Sequence, residues 1–520
     1  PPVGTGPMEH YALLDDMEVH PIVSATASVT DACNGPLSGA ISLNVNYYPG
    51  SYSISWSNGS TSASISSLMM GDYTVTITDT QMGCPAFTAT YHVDGCCSAS
   101  LVIPDGTLSS SLPGTLMGTV NIEGQLIVDQ PLTFSNAVVY MDPGAEISVQ
   151  NNQSLNVFAS TITSCNGVMW KSITLQYGAM LKIEQSTVND GEAAILALDG
   201  SFVKLKDNVF HNNRVALQVP MVSGVSTNNV VISSVNNTFN SSSPMPISYP
   251  GQTTTVGNRG YAGMEIWKVP LVELNQGWNM FNELGNGIIL RHGDMVVEKC
   301  SFHKIQPDPM YASLQGNGAG VNAAAKGYHT LKQIGSLVNG LLPFENCRWG
   351  IYASRMNVYS NANTMLQVGT AYYVEKSNSR VIHLYDNVLD TRQDAIQLFF
   401  NDGADKLIVE NNVITFANEL PPDQYTKGFA AIRVSENNGW NPYSVIRNNE
   451  VTYRAGMTMA KWGAYLISAR NYQVTGNGFT MTSNSYNDAG ITLTGCMIGN
   501  VSCNNIKGAA NSYPVLRQAA

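Results

Sequence analysis

A short phrase of residues recurs through the second half of the chain: an apolar strand runs into two asparagines, and an aliphatic residue follows shortly after. It reads Lys-Leu-Ile-Val-Glu-Asn-Asn-Val-Ile at 406–414, and related phrases stand at 444–451, 472–479 and 499–506. The shorter intervals between copies are roughly 20 to 30 residues, a period that marks a repeat architecture. No other feature of the sequence restricts the fold as strongly.

The repeat defines a column of polar or small residues, each two positions before an apolar one. Its members are Ser160, Ser186, Asn208, Asn237, Asn279, Cys300, Cys347, Asn387, Asn412, Asn449, Asn477 and Asn504. A second column places a small residue before a large apolar one, at 194–195, 216–217, 287–288, 350–351, 395–396, 431–432, 464–465 and 490–491. Each unit therefore reads as strand, turn and strand, and such units bury their apolar sides only by stacking.

We therefore predict an all-β fold whose larger part is a right-handed parallel β-helix. Coils in a parallel stack lie about 4.8 Å apart, so a turn asparagine can bond to the asparagines above and below it, as stacked amides do in other ladders. The large residues of the second column, including Tyr465, are expected to point inward. The structural ladder is expected at Asn208, Asn237, Asn387, Asn412, Asn449, Asn477 and Asn504.

Composition narrows the functional classes. Charged residues make up 12% and hydrophobic residues 44% of the chain, which is not a disordered composition. The net charge of −11 without a basic patch argues against a nucleic-acid partner, and no apolar run approaches the ~20 residues of a membrane span. We predict a linker at 1–20, a small all-β module at 21–97, an N-terminal cap with irregular coils at 98–150 and the regular β-helix at 151–520.

The small module carries a pattern of its own. It reads Val-Thr-Asp-Ala-Cys-Asn-Gly at 29–35, Tyr-Ser-Ile-Ser-Trp-Ser-Asn-Gly at 52–59 and Leu-Met-Met-Gly-Asp-Tyr-Thr-Val-Thr-Ile-Thr-Asp-Thr-Gln-Met-Gly-Cys at 68–84. This pattern resembles the SprB-type adhesin repeat of secreted surface proteins in gliding Bacteroidota. The phrase Trp-Lys-Ser-Ile from Trp170 is similar to β-helices of other Bacteroidota proteins, which often leave by the type 9 secretion system. The resemblance implies an immunoglobulin-like β-sandwich acting as a spacer, and an extracellular location at the cell surface.

Two regions of cysteines are candidates for disulfides. Cys33 and Cys84 lie at the two ends of the module, and we expect a bridge between its first and penultimate strands. The adjacent Cys96 and Cys97 cannot easily pair with each other. Each would therefore need a distant partner such as Cys165, or one of the two stays a thiol.

Four further cysteines fall in the β-helix. Cys300 and Cys347 both occupy the ladder column, where they are either a bridge or two buried thiols, and we favour the thiols. Cys496 and Cys503 flank one turn and are close enough in sequence for a small disulfide clip.

Side chains suited to catalysis are sparse. Pectate lyases, polygalacturonases and related enzymes are built on parallel β-helices, and they need carboxylates for calcium or for acid–base work. The weak candidates are Asp386, Asp390, Arg392 and Asp394, but they follow one another in one coil, and the first two are expected to bond turn amides. The phrase Arg-His-Gly-Asp at 291–294 is weaker still. No cofactor and no metal site are indicated, although the composition leaves bound calcium open.

Aromatic residues on long loops are the best binding candidates. The loops 415–431, 452–464 and 480–490 occupy the same turn of consecutive coils and should stack on one side. Exposed aromatic rings offer flat apolar faces with a polar edge, which suit sugar rings or a protein partner. The binding candidates are Tyr425, Tyr453, Trp462 and Tyr486 on these loops, with Trp440 and Tyr443 on the neighbouring loop 435–443.

We weigh three hypotheses. The first is a secreted, non-catalytic cell-surface protein, adhesive or filament-forming, that associates with itself through the shelf of stacked loops or with flanking segments of a longer parent. The second is a β-helical polysaccharide lyase or hydrolase. The third is a carbohydrate-binding protein whose partner is a cell-surface polysaccharide. Three or more charged side chains that converge from adjacent coils would favour the enzyme.

Overall fold

A computed structural model of the chain divides it into two compact units, residues 1–96 and 97–520. The structure describes residues 23–32, 37–46, 51–80, 85–93, 97, 99–165, 167–222, 227–242, 244–335, 342–376, 380–400, 406–416, 429–436, 444–453, 461–481, 488–508 and 513–518.

The first unit is a small β-sandwich, as predicted. Two three-stranded antiparallel sheets, ordered β1-β2-β4 and β3-β5-β6, share one core. Side chains alternate along β5, so Tyr73, Val75 and Ile77 point inward against Trp56. The strands are β1 (Ser24–Thr30), β2 (Gly39–Asn46), β3 (Tyr52–Trp56), β4 (Ser64–Leu68), β5 (Gly71–Asp79) and β6 (Phe87–Val93).

The second unit consists of short strands that form successive coils. In the first half these are β7 (Leu101–Ile103), β8 (Thr107–Leu108), β9 (Thr115–Ile122), β10 (Gln125–Val128), β11 (Leu132–Met141), β12 (Glu146–Val149), β13 (Ser154–Phe158), β14 (Thr161–Ser164), β15 (Trp170–Leu175), β16 (Met180–Glu184), β17 (Thr187–Asn189), β18 (Gly191–Ala197), β19 (Phe202–Lys206), β20 (Val209–His211), β21 (Val215–Val219), β22 (Val231–Val235), β23 (Thr238–Asn240), β24 (Ala262–Trp267), β25 (Leu271–Leu274) and β26 (Asn279–Asn282). Two 3₁₀ turns lie in loops, at Ser109–Ser111 and Pro309–Tyr311.

The same pattern continues to the end of the described chain. The strands of the second half are β27 (Ile288–Arg291), β28 (Asp294–Glu298), β29 (Cys300–His303), β30 (Ala319–Ala324), β31 (Thr330–Ile334), β32 (Phe344–Glu345), β33 (Trp349–Ser354), β34 (Asn357–Asn361), β35 (Thr364–Val368), β36 (Thr370–Glu375), β37 (Val381–Tyr385), β38 (Val388–Thr391), β39 (Ile396–Phe400), β40 (Lys406–Glu410), β41 (Val413–Phe416), β42 (Phe429–Glu436), β43 (Ser444–Arg447), β44 (Glu450–Thr452), β45 (Lys461–Ile467), β46 (Arg470–Thr475), β47 (Gly478–Thr480), β48 (Ala489–Thr494), β49 (Met497–Ser502), β50 (Asn505–Lys507) and β51 (Tyr513–Gln518).

Parallel pairing between successive coils builds the predicted right-handed parallel β-helix. One sheet, here called the long sheet, has sixteen strands and takes every third strand from β12 to β51, with β10 and β8 at its start. A second sheet of nine strands runs from β25 to β49. The remaining strands are joined through β11, from which one ladder runs along β13, β16, β19 and β22 towards β25, and another runs along β14, β17, β20 and β23 into the later coils. The stretch 101–149, expected to be irregular, already pairs in parallel with later coils, since β10 joins β12 and β11 joins β13 and β14.

The asparagines of the expected column stack in successive coils. The backbone N–H of Asn412 donates to Oδ1 of Asn449 at 3.0 Å, Asn449 donates in the same way to Asn477, and Asn477 donates to Asn504. The residue before each of the seven predicted ladder asparagines has a left-handed backbone, as at Asn411 with φ 55°. Asparagine tolerates that conformation better than most residues, which explains why the repeat contains two asparagines in sequence.

Two members of the column differ from the prediction. Asn363 was not among the predicted residues, yet its N–H donates to Oδ1 of Asn387 at 3.0 Å. Cys347 was assigned to the column wrongly. Phe302 pairs with Phe344 of the next coil. The ladder position lies two residues before each of these phenylalanines, at Cys300 in the first coil and at Leu342 in the second. Cys347 therefore lies at the following turn.

Phenylalanines stack inside the coils two residues after the ladder position. The rings of Phe210, Phe239, Phe281, Phe302 and Phe344 follow one another with centroids 4.8 to 5.1 Å apart and interplanar angles of 10 to 17°. All five side chains are buried. The apolar residue of the repeated phrase therefore supplies the continuous core that a single unit lacks.

The cysteines follow only part of the expectations. Cys97 is bonded to Cys165, with Cα atoms 6.0 Å apart. Cys300 and Cys347 are buried thiols and do not form a bridge. The clip between Cys496 and Cys503 is wrong, since neither is in a disulfide: Cys496 is buried and donates to the carbonyl of Leu466, whereas Cys503 is exposed. Outside the described residues lie Cys33, Cys84 and Cys96, so the Cys33–Cys84 bridge remains a prediction.

Candidate functional site

The outer surface of the long sheet carries a row of large polar and aromatic side chains. Tyr352, Tyr373, Gln397, Arg433 and Tyr465 are register partners in β33, β36, β39, β42 and β45. Each follows a buried residue, which is Tyr372 for Tyr373 and a second-column residue for the other four, and alternation along a strand directs it outward. We call these five residues, with Trp349, Glu375, Phe399 and Trp462 beside them, the long-sheet face.

The first part of the long-sheet face is aromatic. The rings of Tyr352 and Tyr373 stack with centroids 5.2 Å apart and an interplanar angle of 6°. Trp349 meets Tyr373 edge to face at 5.1 Å, and Phe399 lies 5.4 Å from Tyr373 on the next coil. Burial and the carboxylate of Glu375 raise the pKa of Tyr352, whose hydroxyl donates to that carboxylate at 2.9 Å. Because Tyr352 is only 6% exposed, Trp349, Tyr373 and Phe399 provide the accessible apolar surface of this part.

The second part of the long-sheet face is built around Arg433. Its guanidinium carbon lies 5.7 Å from the ring centroid of Trp462 and 5.2 Å from that of Tyr465. Its Nε donates to Oδ2 of Asp394 at 2.6 Å, and Gln397 donates to the same oxygen at 3.1 Å. Burial raises the pKa of Asp394, although the Arg433 charge acts in the opposite direction. The Arg433 guanidinium is thus held between a buried carboxyl group and two aromatic rings.

The loop 304–318, which joins β29 to β30, borders the aromatic part of the long-sheet face. A cleft of about 360 Å³ opens between this loop and β33, lined by Pro307, Leu314, Arg348 and Trp349 among others. Gly316 has a left-handed φ of 74°, and a Cβ at this position would come within 2.4 Å of the Tyr352 ring. Glycine is therefore required there, both for the turn and for the close approach of the loop to the tyrosine.

The long loops predicted as a shelf connect to the strands of the same face. The segments 417–428, 454–460 and 482–487 precede β42, β45 and β48, and the segments 401–405 and 437–443 follow β39 and β42. All of these segments lie outside the described residues. They include four of the predicted binding residues, Tyr425, Trp440, Tyr443 and Tyr486, and most of the predicted self-association shelf.

The other two predicted binding aromatics have different positions. Trp462 is half-buried on the long-sheet face. Tyr453, expected on an exposed loop, is fully buried instead: its ring stacks on Phe416 at 4.4 Å and its hydroxyl donates to the carbonyl of Trp462 at 2.7 Å. Tyr465 was expected to point inward, but Ala464 takes the inward position, because Ala464 is the residue in register with Ile432. Tyr453 is therefore a core residue and Tyr465 a surface residue.

The four weak catalytic candidates do not converge. Asp386 is exposed and accepts from Nδ2 of Asn411 at 3.0 Å in the next coil. Arg392 donates to Gln367 in the preceding coil. Asp390 is buried with Thr415, whereas Asp394 belongs to the long-sheet face. The turn therefore does not form a joint acid–base site.

The side chains of the segment 291–294 also contact different partners and do not form one site. Arg291 donates to Oδ1 of Asn322 at 3.0 Å on the long sheet. His292 accepts from the backbone N–H of Lys326, and Asp294 pairs with His329 at 3.1 Å. Each side chain thus has a separate structural contact.

A polar triad stands on the outside of the nine-stranded sheet. Glu410 accepts from Nε2 of His383 at 2.7 Å and pairs with Arg447 at 2.6 Å. Desolvation acts to raise the pKa of Glu410, but hydrogen bonds from His383 and Arg447 outweigh it and lower that pKa. The triad links three successive coils and is a stabilising contact rather than a pocket.

Two classes of site are not found in the described part of the chain. Among those residues, no group of three or more His, Cys, Asp or Glu side chains is placed to hold a metal ion. The same residues include no helix that is long and apolar enough to cross a membrane.

Comparisons with known proteins identify no family. No protein-family model matches this chain, and no curated protein matches it. Among solved structures, the catalytic unit of a GH87 alpha-1,3-glucanase from Streptomyces thermodiastaticus is 12% identical, with a TM-score of 0.33, over 94% of this chain and 87% of that one. The tailspike protein of E. coli bacteriophage HK620, crystallised with a pentasaccharide, is 10% identical with a TM-score of 0.18, over 80% and 74%. Function is therefore argued from this chain's own residues.

Most of the long-sheet face was missed by sequence reasoning, although a signal was present. The second column marks inward residues such as Ile351, Ile396 and Ile432, and the residue immediately after each one points outward. At these three coils the rule selects Tyr352, Gln397 and Arg433, and it selects Tyr373 after the inward Tyr372, but at 464–465 it selects the buried Leu466 instead of Tyr465. Attention to the loops instead directed the prediction away from the sheet itself.

Proposed function

We propose that this chain belongs to a secreted, cell-surface adhesive protein whose β-helix binds a saccharide polymer on the long-sheet face without cleaving it. The observation that carries the proposal is the partly exposed aromatic row of Trp349, Tyr373 and Phe399 across three successive coils, packed on the buried ring of Tyr352. Flat aromatic faces with polar edges suit sugar rings, which present apolar C–H faces and hydroxyl edges. The resemblance of the first unit to SprB-type repeats supports the extracellular, cell-surface placement and the spacer role.

The charges on this face favour a neutral saccharide. Arg433 is already neutralised by Asp394, and Glu375 accepts from Tyr352 and pairs with Lys376 at 3.2 Å. An acidic polymer would need a cation that is available for pairing, whereas a neutral polymer needs hydrogen-bonding edges beside a stacking surface. The face supplies such edges with Gln397 and the hydroxyls of Tyr373 and Tyr465.

A second candidate function is a β-helical polysaccharide hydrolase or lyase. Asp394 favours it, because a buried carboxyl group with a raised pKa is suited to general-acid work. Against it, the other carboxylate of the long-sheet face, that of Glu375, is not close to Asp394. Glu375 lies on the neighbouring strand β36 and pairs with Phe399, at the far end of β39 from Asp394. Glycosidase carboxylates instead face each other across one bond, at most ~10 Å apart.

Binding to a panel of insoluble and immobilised polysaccharides tests both candidates. The wild-type chain is expected to bind at least one neutral polymer, and Tyr373→Ala is expected to weaken that binding roughly fivefold, since a stacking contact is worth about 1 kcal/mol. Tyr177→Ala is the matched control, because Tyr177 is 64% exposed and lies outside the long-sheet face.

Two results would decide against the proposal. Failure of the wild-type chain to bind any neutral polymer, or equal binding by Tyr373→Ala and wild type, rejects a saccharide site on this face. Release of new chain ends from a bound polymer, abolished by Asp394→Asn, replaces the adhesive function with the enzymatic one.

A further inference from the structure

An exposed apolar stripe runs along another side of the β-helix, away from the long sheet. Met180, Phe202 and Val231 are register partners in β16, β19 and β22, and Leu271 begins β25, the strand that contacts β22 in the next coil. Their exposed fractions are 54%, 44%, 53% and 53%. We call these four residues the apolar stripe. Contiguous exposed apolar surface of this kind marks an interaction site.

The apolar stripe has a shallow groove beside it. The groove has a volume of about 240 Å³ and is lined by Met180, Phe202 and Val231 on one side and by the stems of Lys182 and Lys204 on the other. Lysine stems readily cover apolar surface while their charges stay in water. The surface therefore offers an apolar row with a charged border.

The border of the apolar stripe carries opposite charges at its two ends. Lys182 lies two residues after Met180, and Glu273 lies two residues after Leu271, so the two occupy equivalent outward positions at opposite ends of the stripe. Lys182 pairs with Glu184 at 2.9 Å but keeps 45% of its side chain exposed. Between these ends, Lys204 and Ser233 take the same position in β19 and β22.

We propose that two copies of this chain associate through the apolar stripe, about a two-fold axis that runs parallel to the strands between β19 and β22. That operation reverses the order of the coils. It places Phe202 opposite Val231 of the partner subunit, and Lys182 opposite Glu273 of the partner subunit. A surface that meets its own copy with opposite charges at both ends has the self-complementarity that an isologous dimer requires.

The buried area fits a modest dimer. The exposed parts of the four stripe residues and the adjoining lysine stems amount to roughly 500 Å² per copy, below the ~800 Å² per partner of standard interfaces. We therefore expect a reversible dimer rather than an obligate one. The proposal does not depend on saccharide binding, because the stripe and the long-sheet face lie on different sheets.

Sedimentation velocity over a concentration series tests the dimer with a matched pair of variants. Val231→Ser removes an apolar stripe residue and is expected to weaken dimerisation about tenfold, equivalent to about 1.4 kcal/mol. Val413→Ser is the control, because Val413 is 44% exposed on β41, outside the stripe. A chain that stays monomeric at every concentration, or a dimer that Val231→Ser leaves unchanged, overturns the proposal.

Charge reversal tests the orientation of the two copies. Lys182→Glu and Glu273→Lys should each weaken the dimer, because each places like charges in contact, and the double variant should restore it. If the double variant loses as much dimerisation free energy as the two single variants together, the two residues do not meet and the proposed two-fold axis is wrong.

Discussion

Replacing one ladder asparagine by alanine should destabilise the β-helix by roughly 4 kcal/mol. The Asn412 side chain is fully buried and makes four hydrogen bonds. Its Oδ1 accepts from the backbone N–H and from Nδ2 of Asn387, at 3.1 and 2.8 Å, and its Nδ2 donates to Leu384 O and Asn449 Oδ1, at 3.1 and 2.9 Å. A net contribution of about 1 kcal/mol for each bond gives this total, and the donors left unpaired in the interior increase it.

Equilibrium urea denaturation of Asn412→Ala and Asn411→Gly measures this loss against a neighbouring control. Asn411 is exposed, has a left-handed φ of 55° and makes one external bond to Asp386. Glycine keeps that conformation without strain, so the control should lose less than about 1 kcal/mol. The ladder argument is refuted if Asn412→Ala costs no more than Asn411→Gly.

Three further predictions concern single groups. Since the Glu410 pKa is lowered in the folded chain, its contribution to stability is present above its ordinary value of 4.5 and is lost as pH falls through the lowered value; Glu410→Gln should therefore melt below wild type at neutral pH, with the gap closing in acid. Burial raises the pKa of the Cys300 thiol to about 12, so iodoacetamide should label the exposed Cys503 of the native chain and leave Cys300 unreacted until denaturation. Peptide mapping without reductant should recover Cys33 linked to Cys84, and a thiol at either position contradicts that pairing.

The β-helix could be predicted because its sequence signal is local and repeated. Each coil places the same polar residue at the same turn, and the geometry of one turn is set within a few residues by the left-handed residue before Asn412 or Asn449. The phrase is therefore visible without knowledge of the distant contacts. The predicted register is wrong where an insertion separates two coils. The spacing to the next ladder position changes at the long segment before Phe344, and Cys347 was therefore assigned to the column instead of Leu342.

The candidate site was harder to predict, because it depends on which side of a strand a residue faces. A shift of one residue exchanges the inner and outer faces, and this reversed the assignment at Ala464 and Tyr465. The pairing of Asp394 with Arg433 joins two coils that are 39 residues apart in sequence. No local pattern contains that information, since the intervening loop can be of any length.

The two proposals make a joint prediction that separates them. A dimer through the apolar stripe leaves both long-sheet faces accessible, and two linked sites on one immobilised polymer bind more tightly than one site does. Val231→Ser should therefore weaken binding to an immobilised polysaccharide while leaving the affinity for a short soluble oligosaccharide unchanged, because only the polymer can engage two sites. Tyr373→Ala should weaken both. If Val231→Ser also lowers the oligosaccharide affinity, the stripe acts on the saccharide site itself, and the assignment of the two functions to separate sheets is wrong.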